Sequence, residues 1–390
     1  MKKSLFILLA VVVVTIAALP IGATAFADDS FVGTYPSRSA YLVDYDTGTV
    51  LIDKNSDERY PIASIVKIMT LLLTFEEIDQ GRLSLEEKIT VSVEASGMGG
   101  SQMFLDAGKE YPVTDLIKGV AVCSANDAAV ALGERIAGSI DGFVQKMNEY
   151  AKEIGMENTL FCNATGLPNS GEQYSTAKDV SKMFGKLLRH EKYFDYAGIW
   201  MEDYRHPDGR VTEMVNTNKL IRFYKDCDAG KTGFTNDAMF CLAASAKRDD
   251  MRVVGVVLGS ETSKDRFREM TDMFKYAFAN YEIRTIFRKG ETVQTDLKVD
   301  RAKDDNIPVC VAEDIKFFIR KGLKQELSTI VTINEDLSAP ISKGQAIGRV
   351  KIVDANGEVI AETDLLSVTN VERRGYGDAL DKVLSDWIRS

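Results

Sequence analysis

Apolar residues recur at three- and four-residue spacing from position 64 to 78. That is the repeat of one helical face, and Pro61 and Ser64 stand where such a helix would start. Further helices are read at 114–122, 126–137, 143–154, 175–190 and 266–279. Ser84-Leu-Glu-Glu-Lys88 and Val113-Thr-Asp-Leu116 read as capped helix starts. Shorter apolar runs predict strands. Residues 40–45 and 50–53 flank a turn at Asp46-Thr47-Gly48. Residues 228–234, 238–246 and 252–258 form three successive strands, with turns at Asn236-Asp237 and Arg248-Asp249-Asp250. Helices first, then a meander that joins an N-terminal hairpin, predict an α+β domain: one antiparallel sheet flanked by helices.

The pattern changes near Tyr281. Short runs rich in valine, isoleucine and threonine at 291–299, 307–311, 315–319, 328–333 and 349–353 predict a small all-β domain. Asn356-Gly357 marks a hairpin turn within it. At the C-terminus, Tyr376, Ala379, Leu380, Val383, Leu384, Trp387 and Ile388 share one helical face. The charges around that face balance, so it suits either a membrane interface or packing on protein. At the other end, Lys2 and Lys3 precede an apolar run, and Ala25-Phe26-Ala27 is a small-residue cleavage pattern. The expected organisation is a signal peptide at 1–27, an α+β domain at 28–280, a β domain at 281–370 and an amphipathic helix at 371–390.

Length and charge narrow the function. The chain has 390 residues and a net charge of −10, which argues against a nucleic-acid partner. Cleavage after Ala27 would leave 46 basic against 58 acidic residues, a net charge near −12. The five cysteines are odd in number and scattered, unlike a disulfide framework. Cys227 and Cys241 flank the first hairpin of the meander, which leaves one disulfide open there. Cys123 reads as a small buried residue rather than a reactive thiol.

Ser64-Ile65-Val66-Lys67 carries the candidate chemistry. A serine and a lysine three apart share one helical face, and a helix N-terminus favours the oxyanion that serine attack creates. A lysine kept neutral can take the serine proton. Ser175-Thr-Ala-Lys178 fits the same pattern, and a lone copy is most simply a helix cap with a solvated lysine. Order separates the two. Ser124-Ala125-Asn126 and then Lys231-Thr232-Gly233 follow Ser64, whereas Ser175 comes after the S-x-N element. S-x-x-K, S-x-N and K-T-G in that order are the signature of penicillin-binding proteins and class A β-lactamases.

The motifs and their surroundings resemble the low-molecular-mass penicillin-binding proteins of the D-alanyl-D-alanine carboxypeptidase family. Gly100-Ser-Gln-Met-Phe104, Cys123-Ser-Ala-Asn-Asp-Ala128, Gly166-Leu-Pro168 and Lys231-Thr-Gly-Phe-Thr235 look like phrases of that family. Ala125 stands where glycine is usual. The resemblance implies the penicillin-binding protein/β-lactamase-like transpeptidase fold, with no cofactor and no metal. It implies removal of the terminal D-alanine from peptidoglycan stem pentapeptides, β-lactams as covalent inhibitors, and action outside the cytoplasmic membrane. It implies Ser64 as the acylated nucleophile, Lys67 as its base and Ser124 as a proton relay. Asn126 would bind the substrate amide. Lys231 would keep Lys67 neutral and help place the substrate on the Thr232-Gly233-Phe234 strand. Thr232 and Arg266 would receive the terminal carboxylate, and the N–H groups of Ser64 and Phe234 would form the oxyanion hole. Three alternatives stay open. A class A β-lactamase lacks support from any E-x-x-L-N element, while a D,D-endopeptidase and a penicilloylated sensor or wall-binding scaffold fit the motifs. His190 and His206 lack ligand spacing, and surface or structural roles are expected for them.

Overall fold

A computed structural model describes residues 35–375, apart from 169–170, 294–296, 298, 304–306, 324–325 and 335–336, together with Val14–Thr15. The expected signal peptide lies outside the described residues, save for that two-residue strand, and so does the expected C-terminal helix from 376 onward; its first residues are not helical, since Val371 and Arg373 form bridges with Ile341 and Ala302. Two compact units divide at Asn280/Tyr281.

The larger unit is built on a five-stranded antiparallel sheet in the order Val50–Lys54, Ser39–Asp44, Met251–Ser260, Met239–Arg248, Cys227–Thr235. The predicted N-terminal hairpin thus joins the later meander, Leu42 pairing with Gly255. Cys227–Thr235 forms one edge, so the K-T-G residues sit on a strand with one open side.

The helix Lys67–Asp79 is the unit's core element. Ten of its residues are buried, including Leu71, Leu72, Leu73 and Phe75, each 1% exposed or less. A helix apolar nearly all round must be enclosed, and here Asn126–Ala137 and Ala177–Leu187 pack on it. Each such side chain contributes about 1.5–3 kcal/mol by leaving water. Its first turn is not α-helical: Ala63–Val66 is a 3-10 turn, which sets Ser64 just ahead of the helix.

Both predicted helix caps require correction: the helix Val113–Val122 begins after Pro112 with no side chain capping it. Ser84 does not cap a helix. Its hydroxyl accepts from Glu86 N at 3.3 Å and closes a single turn, after which Lys88–Thr90 pairs as a strand with Glu110–Pro112. No disulfide joins Cys227 to Cys241, and both thiols are free. The strand register places Cys227 opposite Ala246 and Cys241 opposite Gly233, well apart along the ladder. A further hairpin, Met201–Arg205 with Val211–Val215, is not marked by any apolar run.

The smaller unit contains a sheet ordered Ser328–Ile333, Ala346–Val353, Val359–Ser367, Val309–Val311, Thr292–Val293, with Val14–Thr15 paired to Ser328–Ile333. The hairpin about Asn356-Gly357 is present, with Gly357 at φ 82°. Of the run 291–299, only Thr292–Val293 is strand among the described residues. Tyr281–Phe287, not expected as a strand, pairs with Ile315–Arg320. Val309, Ile347, Val350 and Leu365 are fully buried at its core.

Candidate active site

Three chain segments converge on Ser64. The first is its own turn. Ala63 holds a left-handed φ of 47°, an unusual conformation for a residue with a side chain. Strain of this kind persists only where the surroundings enforce it, and they do so here. Gly166, itself at φ 81°, lies so close that a Cβ on it would stand 2.0 Å from the Ala63 carbonyl oxygen. Gly233 presses from the sheet, where a Cβ would come within 2.7 Å of the Ile62 oxygen.

Lys67 projects from the next turn. Its Nζ lies 2.9 Å from Ser64 Oγ and 2.6 Å from the Thr165 carbonyl oxygen. The side chain is fully buried, and its hydrogen bonds among the described residues go to Ser64 Oγ and Thr165 O rather than to an acid. Burial holds its pKa well below the usual lysine range, and the Lys231 charge lowers it further. The Coulomb fields of Cys123 and Asp127 act the other way without reversing the direction.

The second segment is the turn between the helices Val113–Val122 and Asn126–Ala137. Ser124 takes the left-handed conformation at φ 63° and is 4% exposed. Ala125 has φ −58°, which alanine adopts without strain. Asn126 donates from Nδ2 to Gly99 O at 2.6 Å, and its Oδ1 is buried without a hydrogen-bond partner. Asp127, absent from the predicted site, accepts from the backbone N–H groups of Met103 and Leu105 at 3.2 and 3.0 Å. It fixes the 99–105 stretch beside Asn126.

The third segment is the edge strand. Lys231 is fully buried and donates to Ser124 Oγ at 2.7 Å and to Thr232 O at 3.0 Å. Burial pushes its pKa down to about 7, and the Arg266 charge acts in the same direction. Thr232 is 6% exposed, whereas Phe234 is 52% exposed and stacks on Phe240 at 4.3 Å. Arg266 does not open its helix into solvent. The helix Ser263–Asn280 begins a turn's length before the expected start, and Arg266 is 8% exposed. Its Nη1 donates to Gly233 O at 2.9 Å and Cys241 O at 3.2 Å, and its Nε is buried without a partner. Burial pushes its pKa down to about 10.

The structure thus bonds Lys67 to Ser64, Lys231 to Ser124 and Arg266 to Gly233, with Gly233 packed on the Ser64 turn, Asn126 in the turn that carries Ser124, and Phe234 exposed on the same strand. Sequence reasoning missed the Thr165 carbonyl, which contacts both Lys67 and Ser64. A backbone oxygen has no residue-type signature, and Gly166 beside it was the only available signal. Cys123 donates to Gly119 O at 3.2 Å, and burial pushes its thiol up to about 11, as expected of an inert cysteine. His190 pairs with Asp79 at 2.7 Å, and His206 contacts Thr212 at 2.8 Å. A groove of about 560 Å³ lined by Lys219, Phe223, Phe267 and Lys275 shares no residue with the cluster. Among the described residues, no group of three or more His, Cys, Asp or Glu could hold a metal ion, and no helix is long and apolar enough to cross a membrane.

Residues 24–262 match the family model of D-alanyl-D-alanine carboxypeptidase, peptidase S11, and residues 281–373 match that of the C-terminal domain of penicillin-binding protein 5. The chain is 38% identical over 387 residues to the D-alanyl-D-alanine carboxypeptidase DacF of Bacillus subtilis, covering 98% of this chain and 99% of that protein. It is 34% identical to DacC of Escherichia coli, another D-alanyl-D-alanine carboxypeptidase, over 90% and 89% of the two chains. The crystal structure of penicillin-binding protein 5 from Haemophilus influenzae superposes with a TM-score of 0.70 at 30% identity, over 90% of this chain and all of that one. The chain belongs to the D-alanyl-D-alanine carboxypeptidase family of serine peptidases.

Proposed function

We propose that this protein is a serine D-alanyl-D-alanine carboxypeptidase that removes the terminal D-alanine of peptidoglycan stem pentapeptides through an acyl-enzyme on Ser64. The observation that carries the reading is the 2.9 Å contact between Ser64 Oγ and a buried Lys67. Ser64 Oγ attacks the carbonyl of the penultimate D-alanine and passes its proton to the neutral Lys67 amine. The tetrahedral oxyanion sits between the N–H groups of Ser64 and Phe234, an arrangement worth about 3–4 kcal/mol per donor in enzymes of this kind. The C–N bond then breaks, and a proton reaches the leaving amine through Ser124, which Lys231 orients. Water hydrolyses the ester. The unpartnered Oδ1 of Asn126 supports a role in accepting the substrate amide N–H, and Thr232 and Arg266 receive the terminal carboxylate.

A β-lactam offers the same amide to the same serine and acylates it. The finer placement belongs to the same reading: export with cleavage after Ala27, action at the outer face of the cytoplasmic membrane, and anchorage through Leu380, Leu384 and Trp387. Fractionation of a chain lacking residues 375–390 tests the anchor. If full-length protein without its signal peptide is as soluble as the deletion, the tail does not anchor it. The test of activity is D-alanine release from a short peptide ending in D-Ala-D-Ala. Steady release excludes a scaffold that acylates without turnover, and cleavage confined to cross-linked dimers would instead make the protein an endopeptidase.

A further inference from the structure

The loop that follows Phe161 touches the reaction centre twice, and both contacts are backbone. The Thr165 carbonyl lies 2.6 Å from Lys67 Nζ and 3.3 Å from Ser64 Oγ. Gly166 abuts the Ala63–Ser64 peptide so closely that no side chain fits between them. One side chain organises both contacts. Asn163 Oδ1 accepts from Thr165 N at 3.0 Å, from Gly166 N at 2.6 Å and from Thr165 Oγ1 at 3.2 Å, and Asn163 Nδ2 donates to Leu167 O at 3.0 Å. Four bonds from one carboxamide make the loop a closed turn. The helix Lys67–Asp79 grips the same loop one turn beyond Lys67, where Thr70 Oγ1 donates to Ala164 O at 3.1 Å.

We propose that Asn163 is a positioning residue for acyl transfer, holding the Thr165 carbonyl where it orients Lys67 and receives charge from it. The proposal rests on the reading of Lys67 as the base. A neutral amine has two N–H donors and one lone pair. An N–H given to Thr165 O turns the lone pair toward Ser64, whose O–H then donates to Lys67 Nζ rather than to the more distant Thr165 oxygen. When the proton moves, Ser64 Oγ becomes the nucleophile and Lys67 an ammonium. The Thr165 carbonyl is already in place to stabilise that new charge, without reorganisation at the moment of reaction. Without Asn163, both N–H groups that fix the loop lose their acceptor, and the carbonyl drifts.

A position error of about 1 Å can cost on the order of 10²-fold in rate. Asn163→Ala should therefore lower the plateau of the pH–rate profile for acylation by a fluorescent penicillin ten- to a hundredfold. Its midpoint should move to lower pH, because a carbonyl that stabilises the ammonium has been lost. Asn163→Asp keeps the three accepted bonds and should restore most of the plateau. If Asn163→Ala does not fold, Thr70→Val loosens the same loop from the other side and should give a smaller loss with the same shift. A wild-type plateau and midpoint in whichever of these variants folds, beside an inactive Lys67→Ala control, would overturn the proposal while leaving Lys67 as the base. Near-normal acylation by Lys67→Ala would instead overturn the reading on which the proposal rests.

Discussion

Ser64–Lys67 and Ser175–Lys178 carry the same four-residue pattern in one folding unit, and they end in opposite environments. Lys67 is fully buried, bonded to Ser64 Oγ and a carbonyl, with Lys231 as its charged neighbour. Lys178 is half-exposed and paired to Asp57 at 3.2 Å, a partner that raises its pKa. Ser175 is fully buried. Its hydroxyl is taken by Thr159 at 2.7 Å, and its backbone exchanges hydrogen bonds with Tyr60 at 2.8 and 3.0 Å. The second copy therefore braces the chain just ahead of the first. The comparison teaches that S-x-x-K supplies only proximity. Reactivity comes from what surrounds the lysine: desolvation and a second cation make a base, whereas a carboxylate and water make a permanent ammonium.

The sharpest way to break that contrast is to remove each lysine. Lys67→Ala should slow acylation by the ~10²–10⁴ that general-base catalysis supplies, and Lys178→Ala should leave it unchanged. Equal losses would mean that burial does not distinguish the copies. Asp57→Asn goes further by removing the acid that keeps Lys178 charged. No acylation of Ser175 is expected even then, because the hydroxyl remains enclosed and bonded to Thr159.

Next in size is Arg266, a cation that bonds the Gly233 strand beside the first copy. Arg266→Ala should cost roughly ten- to a hundredfold in kcat/KM on a peptide ending in D-Ala-D-Ala, the loss of one charged hydrogen bond. The loss should be much smaller on the same peptide with an amidated terminus. Arg266 also bonds Gly233 O and Cys241 O, so equal losses on the two substrates would assign it to the strand rather than to the carboxylate.

The smallest effect is on stability. Burial lowers the pKa of Lys231 to about 7, and unfolding returns it to its ordinary value of about 10.4. Between those values the unfolded chain binds more protons, so this group makes stability rise with pH. From pH 7 to 9 the wild type should gain a few °C in Tm relative to Lys231→Met, about 2 kcal/mol of linkage. Parallel Tm curves for the two proteins would show that burial does not lower the pKa of Lys231.

Much of this site was legible because its chemistry resides in side chains in a fixed order. Ser64, Lys67, Ser124, Asn126 and Lys231 come together as the motifs imply, and the helix opening at Asn126 follows from its alanine-rich text. What stayed hidden has physical reasons. The Met201–Arg205 hairpin is mostly exposed and carries no apolar period. Ser84 offered a cap, but its hydroxyl closed a turn instead, since serine suits both. Cys227 and Cys241 lie near one another in sequence, yet strand register rather than proximity decides whether thiols meet. Arg266 was visible as a cation, while its burial against two carbonyls is a property of the packed sheet. The Thr165 oxygen has no sequence signature, and only the neighbouring glycine marked its loop.

The central claim is that one serine of the two is acylated, and the location of a β-lactam adduct tests it directly. Intact-mass measurement followed by peptide mapping after exposure to penicillin should find one adduct, on the peptide containing Ser64. Ser64→Ala should carry none, and Ser175→Ala should carry the wild-type amount. An adduct that persists in Ser64→Ala, or that disappears in Ser175→Ala from a folded protein, would contradict the account.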